Sequence, residues 1–323
     1  MYIYISAALF LSTSVVQCVS IVWRNGTFRH GPARAFVTYA EGSVKISIRL
    51  SRPLTIQAGQ YINLWMPSAS FSSFLQSHPF VVTSWSPEEQ IQLELFMEPR
   101  RGLTRELLYH AQARERGAKF SSRWVLFSGP YGISALVGEY ESILMIVIGF
   151  GMAALLPYLS QMIHRYQTRK IYTRRIRVIW QVQRIGKQGR CIHTNKTKLT
   201  NVKTALAMQP LLNSALKGDS LDKILSISIF STSLKEEEVS FGRRGIVYRG
   251  SADVTGILRD EIAVRNTENQ YRDIEAAQIE AGHIREVTGK LQREKGKMLV
   301  MVSGISAQRR VGTTAGLVVG VYM

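Results

Sequence analysis

Cysteine is nearly absent from this 323-residue chain, which holds only Cys18 and Cys191. The two stand far apart in different settings. That excludes a disulfide framework and a cysteine-based metal site, and it suits a reducing compartment. Acidic residues are also scarce, 23 Asp and Glu against 41 Lys and Arg, for a net charge of +18. Such a balance attracts anions: phosphate-rich cofactors, acidic lipid headgroups or nucleic acid. It equally fits a face held beside a membrane on the cytoplasmic side, where Lys and Arg collect. No nucleic-acid module is recognisable, and basic charge alone does not make one, so nucleic acid is not an expected partner. Internal repeats and low-complexity tracts are missing too. The length favours two domains, and an apolar content of 46% allows a sizeable core.

Charge of either sign is missing from Tyr2 through Trp23. That run is long enough to cross a bilayer, which needs roughly 20 apolar residues. A cleaved signal peptide normally opens with positive charge and has a shorter apolar core, neither of which is found here. Arg24, Arg29 and Arg34 follow at once, so residues 1–23 are expected to be a transmembrane helix with the rest of the chain in the cytoplasm. The sequons at Asn25-Gly26-Thr27 and Asn195-Lys196-Thr197 are then chance matches.

Beyond Arg34 the chain changes character once. Val44, Ile46, Ile48 and Leu50 alternate with Lys45, Ser47 and Arg49, the pattern of a half-buried strand ending at Pro53. Tyr61–Trp65 comes after the turn at Gly59, and Ile91, Leu93 and Leu95 alternate with Gln92 and Glu94. Short strands at this spacing predict an antiparallel barrel, with the domain placed at 31–135. Ile143–Ile148 is instead a continuous apolar run, as in a strand buried on both faces. Helices are expected at Ala153–Tyr166, Ala205–Leu216 and Asp273–Arg293. Strands are expected at Arg177–Trp180, Leu225–Phe230 and, as the last, Met298–Val302. Alternating strand and helix imply a doubly wound parallel α/β domain over 140–323. Arg184–Lys203 and Ser233–Gly245 read as solvated surface loops.

Gly149-Phe150-Gly151 lies after the buried strand and before a helix, the context of a pyrophosphate-binding turn. Its glycines allow a tight turn and close backbone approach, and the helix start supplies N–H groups. Arg101-Gly102-Leu103-Thr104 opens a second helix start, over Arg105–His110, to which Arg101 adds charge. Arg184 and Lys187, beyond Trp180-Gln181, are candidates for a 2′-phosphate. No acid stands just after that strand to take a ribose hydroxyl, which favours NADPH over NADH.

The string His78-Pro79-Phe80-Val81-Val82-Thr83-Ser84-Trp85 resembles the flavin motif of the fungal ferric-chelate reductases, within the wider NADPH oxidase and ferredoxin-reductase-like flavoproteins. Further matches are Arg101-Gly102-Leu103-Thr104, Ser128-Gly129-Pro130-Tyr131-Gly132, Gly149–Ala154, Pro157-Tyr158 and Trp180-Gln181. The likeness runs from about Tyr2 to Arg310. It implies FAD and NADPH as cofactors, a ferredoxin-reductase-like fold and hydride transfer from NADPH to FAD. Electrons would then pass to an acceptor such as a ferric chelate, in iron uptake at the plasma membrane. It places His78 by the ribityl and phosphate region, counts Pro79 among the cofactor-binding residues and offers Phe80 as an apolar wall for the ring. Val81 falls near flavin N5, where relatives often carry a hydroxyl, and Thr83 and Ser84 offer hydroxyls. Gly129, Tyr131 and Gly132 would lie near the cofactors, and Gly149, Gly151 and Ala154 at the nucleotide. Ser303-Gly304 would lie by the nicotinamide, Ser303 standing where relatives often have Cys.

Departures from the resemblance are as clear. Paired haem-binding histidines are missing from Tyr2–Trp23, and His30 falls beyond it, so haem is expected only from missing helices or a haem-bearing membrane partner. After Arg310 relatives continue through a helix and strand to an aromatic residue, for which Tyr322 is the candidate here. Both ends look trimmed. Another flavin reductase, an NADPH-oxidase-like protein or a weakly active truncated paralogue remain the alternatives. No metal site and no acid–base side chain is expected.

Overall fold

The computed structural model describes residues 1–26, 31–40, 42–67, 76–100, 102–115, 122–182, 207–214, 216, 224–232, 238–241, 245–264, 266–267, 298–304, 313–314 and 317–322. Arg101, Arg184, Lys187, His30, Cys191 and the helix expected at Asp273–Arg293 lie outside them. The chain divides into two units, Met1–Ser134 and Ala135–Met323.

The first unit begins with α1 (Tyr2–Asn25), whose mean hydropathy of 1.9 and lack of burial fit the uncharged run that specifies it. Antiparallel strands β1 (Arg34–Ala40), β2 (Ser43–Leu54), β3 (Tyr61–Trp65), β4 (His78–Val81) and β5 (Gln90–Met97) come next. After α2 (Leu103–Glu115) come β6 (Arg123–Trp124) and β7 (Leu126–Tyr131). They form two sheets, ordered β5-β2-β1-β6 and β4-β3-β7, joined by a bridge between Val82 and Leu95. One core fills the space between them. Val44, Ile46, Ile48, Leu93 and Leu95 meet Ile62, Leu64 and Phe127, and α2 closes it with Leu103 and Leu107. Burying each such side chain stabilises by about 1.5–3 kcal/mol. Two local expectations need correction. β2 passes through Pro53 to Leu54 with a register irregularity, because that end of the strand leaves the regular ladder. Ile91 is 64% exposed, since the inward side of β5 begins at Leu93.

Asn25 joins α1 to this unit. It is 1% exposed, and its Nδ2 donates to the Phe127 carbonyl at 2.7 Å while its Oδ1 accepts from the Phe127 N–H at 3.0 Å. β7 is an edge strand, so a side-chain amide here satisfies groups that would otherwise stay open. The Asn25 carbonyl accepts from the Ser51 hydroxyl and from the Ala33 N–H. Arg52 lies 4.0 Å over the Trp23 ring. A side chain so enclosed leaves no room for a glycan, which agrees with reading that sequon as accidental.

In the second unit, β8 (Ser142–Ile148), a short 3-10 turn Gly149–Gly151 and α3 (Met152–Gln167) are continuous. They are followed by β9 (Arg175–Gln181), β10 (Leu225–Ser231), β11 (Glu238–Phe241), β12 (Gly245–Arg249) and β13 (Met298–Ser303), then β14 (Thr313–Thr314) and β15 (Leu317–Tyr322). The order is β11-β12-β10-β9-β8-β13-β15-β14, parallel except for the outer hairpin strands β11 and β14. Leu144 and Ile146 pack with Ile257 and Leu258 of a helix over 254–264. Met145 and Val147, on the opposite face, are fully buried as well, so β8 is covered on both sides. A barrel-type antiparallel domain followed by a doubly wound α/β domain is the ferredoxin-reductase-like arrangement.

Three readings of this unit are corrected. β13 is not the last strand, because the apolar run Leu317–Tyr322 adds β15 in parallel to it. Residues 233–245 are not wholly loop: Glu238–Phe241 pairs with β12 as an edge hairpin, with Val239 opposite Val247. The helix over 254–264 was not anticipated, although Asp253 caps it by accepting from the Gly256 N–H.

Replacing Asn25 by Leu leaves the Phe127 N–H and carbonyl without their partner. A loss of about 3 kcal/mol is expected, each orphaned buried group costing roughly 1–3 kcal/mol. Urea or thermal unfolding of the full chain measures it; an unchanged midpoint would show that the amide adds no net stability.

Candidate functional site

The flavin-type half is built on the small sheet of the first unit. Opposed residues of an antiparallel ladder share a face. Tyr61 stands opposite Val81 and Tyr131, Asn63 opposite Pro79 and Ser128, and Trp65 opposite Leu126. These residues form the outer face, while Ile62 and Leu64 point into the core at 0% exposure. His78 and Phe80 stand opposite Leu64 and Ile62, on the core side, with their rings 6.4 Å apart. Phe80 and Val81 therefore look to opposite faces of β4. β4 is the outer strand of its sheet, so a ligand lying along that edge reaches both.

Thr83 and Ser84 act differently from expectation. The Thr83 hydroxyl donates to the Glu94 carbonyl at 2.9 Å, and Ser84 Oγ accepts from the Glu94 N–H at 3.1 Å. Both bind the exit of β4 to β5, so their first partners are backbone rather than ligand. Gly102 has φ +64 and open space where a Cβ would stand, directly before α2. That gap and the helix start suit a phosphate, although Glu106 in the first turn opposes one. Thr104 Oγ1 accepts from the Arg100 N–H at 2.9 Å and so pins the incoming strand rather than capping its own helix.

Tyr61 and Tyr131 form a tilted ring pair with centroids 5.7 Å apart, both partly exposed. Gly129 at φ +118 lies where a Cβ would come within 3.1 Å of the Tyr131 ring and 3.2 Å of the Tyr61 carbonyl. Gly132 accepts from Gln60 Nε2 at 3.2 Å. Tyr61 and Trp65 were not singled out from the sequence. The alternation Tyr61-Ile62-Asn63-Leu64-Trp65 carried the signal, since it puts all three polar or aromatic side chains on one side.

The nucleotide-type half lies where the sheet of the second unit reverses direction. The chain proceeds outward from β8 through β9, β10 and β12, then returns to the other side of β8 as β13. Ligands of open α/β sheets bind beyond the strand ends at such a switch point. Gly149–Gly151 ends β8 there, and Ser303-Gly304 ends β13. The two segments touch: a Cβ on Gly151 would fall 2.5 Å from the Ser303 carbonyl oxygen, and one on Gly304 would fall 2.8 Å from the Ile148 Cβ. Ser303 is 1% exposed and its hydroxyl donates to the Gly151 carbonyl at 3.0 Å. This hydroxyl is engaged in holding the turn.

Trp180 holds the same turn from β9. Its indole N–H donates to the Gly149 carbonyl at 3.0 Å, with the ring fully buried. Gln181 beside it accepts from the Ala252 N–H at 2.7 Å, tying β9 to the chain after β12. Gly149 itself has φ +55, and a Cβ there would meet nothing within 4 Å, so space stands open before the turn. No acid lies in the first turn of α3, and Ala154 is buried within it. Glycine geometry, open space and a 16-residue helix start free of acid fit a dinucleotide pyrophosphate. Tyr322 occupies the register position opposite Ser303, at this same end of the sheet. Among the described residues no cluster of His, Cys, Asp or Glu could hold a metal.

The two glycines of the turn should respond differently to alanine. Gly149→Ala is expected to cost about 1–2 kcal/mol through its left-handed backbone alone. Gly151→Ala must move β13 and should cost more, and it should abolish retention on immobilised adenine dinucleotide. Thermal unfolding and affinity chromatography of the full chain compare the two; equal losses would refute the close-approach account.

Residues 33–135 match the family described as an FAD-binding domain. A probable cell surface ferric reductase, kap2, of Aspergillus oryzae is 24% identical over 192 residues, 55% of this chain and 24% of that protein. The ferric/cupric reductase transmembrane component 2 of Saccharomyces cerevisiae is 25% identical over 158 residues, 47% of this chain and 20% of that one. The chain thus spans about a quarter or less of the length of these relatives. Among solved structures, a flavohemoglobin from Malassezia yamatoensis aligns with TM-score 0.47 at 11% identity, covering 90% of this chain and 60% of that one. The cytochrome b5 reductase domain of Ulva prolifera nitrate reductase aligns with TM-score 0.45 at 10% identity, covering 88% and 90%. The first unit thus carries an FAD-binding domain on β1–β7, and the chain is similar in sequence to these two fungal ferric reductases.

Proposed function

We propose that the chain is a membrane-anchored oxidoreductase that takes hydride from NADPH, holds FAD in its first unit and delivers electrons toward a ferric chelate. The coincidence of Gly149–Gly151 and Ser303-Gly304 at the switch point of the second sheet, downstream of an FAD-binding domain, carries the reading. A bound dihydronicotinamide supplies the hydride, and a bound flavin supplies the junction between hydride and single-electron chemistry.

The chain's own residues bind and orient. The glycine turn receives the pyrophosphate, and Trp180 and Ser303 keep its carbonyls turned inward. Gly102 and the start of α2 receive a flavin phosphate, with Arg101 as the added charge. The outer edge of β4 presents Phe80 and Val81 to the ring system. Arg184 and Lys187 favour the 2′-phosphate, and the absence of an acid just after β9 supports that choice. α1 is the membrane anchor, with the cofactor units cytoplasmic at the plasma membrane. A haem-bearing membrane partner carries electrons across when the acceptor lies outside. No side chain is required as acid or base.

The test uses the full chain purified in detergent with added FAD. Flavin absorbance should co-purify, and ferricyanide should be reduced at least tenfold more efficiently with NADPH than with NADH. Arg184→Ala should raise the KM for NADPH and leave that for NADH unchanged. A ferric chelate should serve as acceptor when the haem partner is supplied. A folded preparation that binds neither FAD nor NADPH would end this reading.

A further inference from the structure

A cavity of about 280 Å³ opens on the outer face of the small sheet, at the foot of α1. Ile21, in the last turn but one of that helix, forms one apolar wall, and Leu126 and the Trp65 ring form the others. Asn63, Gln76, Ser77 and Ser128 supply the polar lining. Among the described residues no ionisable side chain lines it. An anionic chelate or phosphate would find no countercharge here, in a protein whose net charge is +18.

Three observations define what fits. Ile21 of the exposed apolar helix α1 lines the cavity, so with α1 as the membrane anchor proposed above a bilayer-dissolved ligand meets the cavity beside that helix. Its polar groups are neutral amides and hydroxyls, which bond to carbonyl or hydroxyl oxygens. Asn63 stands opposite Pro79, two residues from Val81 on the same face of the sheet, about 7 Å along the strand. We infer that this cavity binds the ring of a membrane-soluble quinone and that the protein reduces it to the quinol. The step balances as NAD(P)H plus a proton plus quinone giving NAD(P)+ plus quinol, two electrons passing from the nicotinamide to the quinone. Its oxygens leave carrying one proton from water and one hydrogen originating as the hydride or its solvent-exchanged equivalent. The inference rests on the flavin reductase and membrane-anchor readings but not on the ferric-chelate acceptor.

Photolabelling with an azido-ubiquinone, on the full chain in lipid nanodiscs with FAD, tests it. Label should fall on peptides containing Trp65 and Leu126 and be displaced by decylubiquinone. Leu126→Trp, which fills the cavity, and Asn63→Leu, which removes its central amide, should each cut labelling and NAD(P)H-dependent decylubiquinone reduction at least tenfold. Both rates, of decylubiquinone and of ferricyanide reduction, are taken per bound FAD, so that a loss of flavin is read separately from a loss of quinone reduction. Label scattered along α1 and not displaced, or two folded variants that label and turn over like the parent, would overturn the inference. Ferricyanide turnover without cavity labelling overturns the quinone site and leaves the reductase reading standing. Competed cavity labelling in a preparation with neither flavin nor ferricyanide turnover supports the binding site and overturns the reductase reading.

Discussion

Gly151 and Ser303 meet at a distance that only a missing side chain permits, and the second unit is arranged around that meeting. A Cβ at Gly151 would collide with backbone, not with the flexible end of a side chain, so nothing nearby could give way cheaply. The contact fixes β13 against the start of α3 and thereby sets the floor of the crevice. The Ser303 hydroxyl and the Trp180 indole then each take one carbonyl of the turn. Two inward carbonyls leave a trans peptide chain with its opposite edge toward the opening. The shape of this crevice thus follows from packing between elements about 150 residues apart in sequence.

The first unit solves a different problem, that of a sheet whose edge strand β7 would otherwise expose backbone groups. Asn25 supplies an amide in place of a neighbouring strand. Because it is also the last residue of α1, the edge and the helix are fixed by the same two hydrogen bonds. Tyr61, Asn63, Trp65 and Tyr131 line the outer face of that sheet.

Much of this was legible in the sequence because periodicity is a direct image of burial. Val44–Leu50, Tyr61–Trp65 and Ile143–Ile148 lie where alternation or continuous apolarity put them, and Gly149–Gly151 lies between strand and helix as its context required. What pattern could not show was which polar groups would be taken by backbone. Thr83 and Ser84 read as free hydroxyls and Thr104 and Ser303 as parts of cofactor turns, yet each hydroxyl has a main-chain partner set by residues distant in sequence or by a loop conformation. β15 escaped notice for another reason. A six-residue apolar run at a chain end has no flanking context until β13 stands beside it.

The enclosed amide at Asn25 also locks an angle. Each helical residue advances the side-chain direction by about 100°. Inserting or deleting one residue just ahead of Asn25 would keep its two bonds to Phe127 but swing every upstream side chain of α1 around the axis by that amount. Ile21 would leave the wall of the cavity, and the exposed and sheet-facing stripes of the helix would be reassigned together. The spacing between Ile21 and Asn25, more than the identity of the residues between them, is therefore what orients the apolar helix against the small sheet.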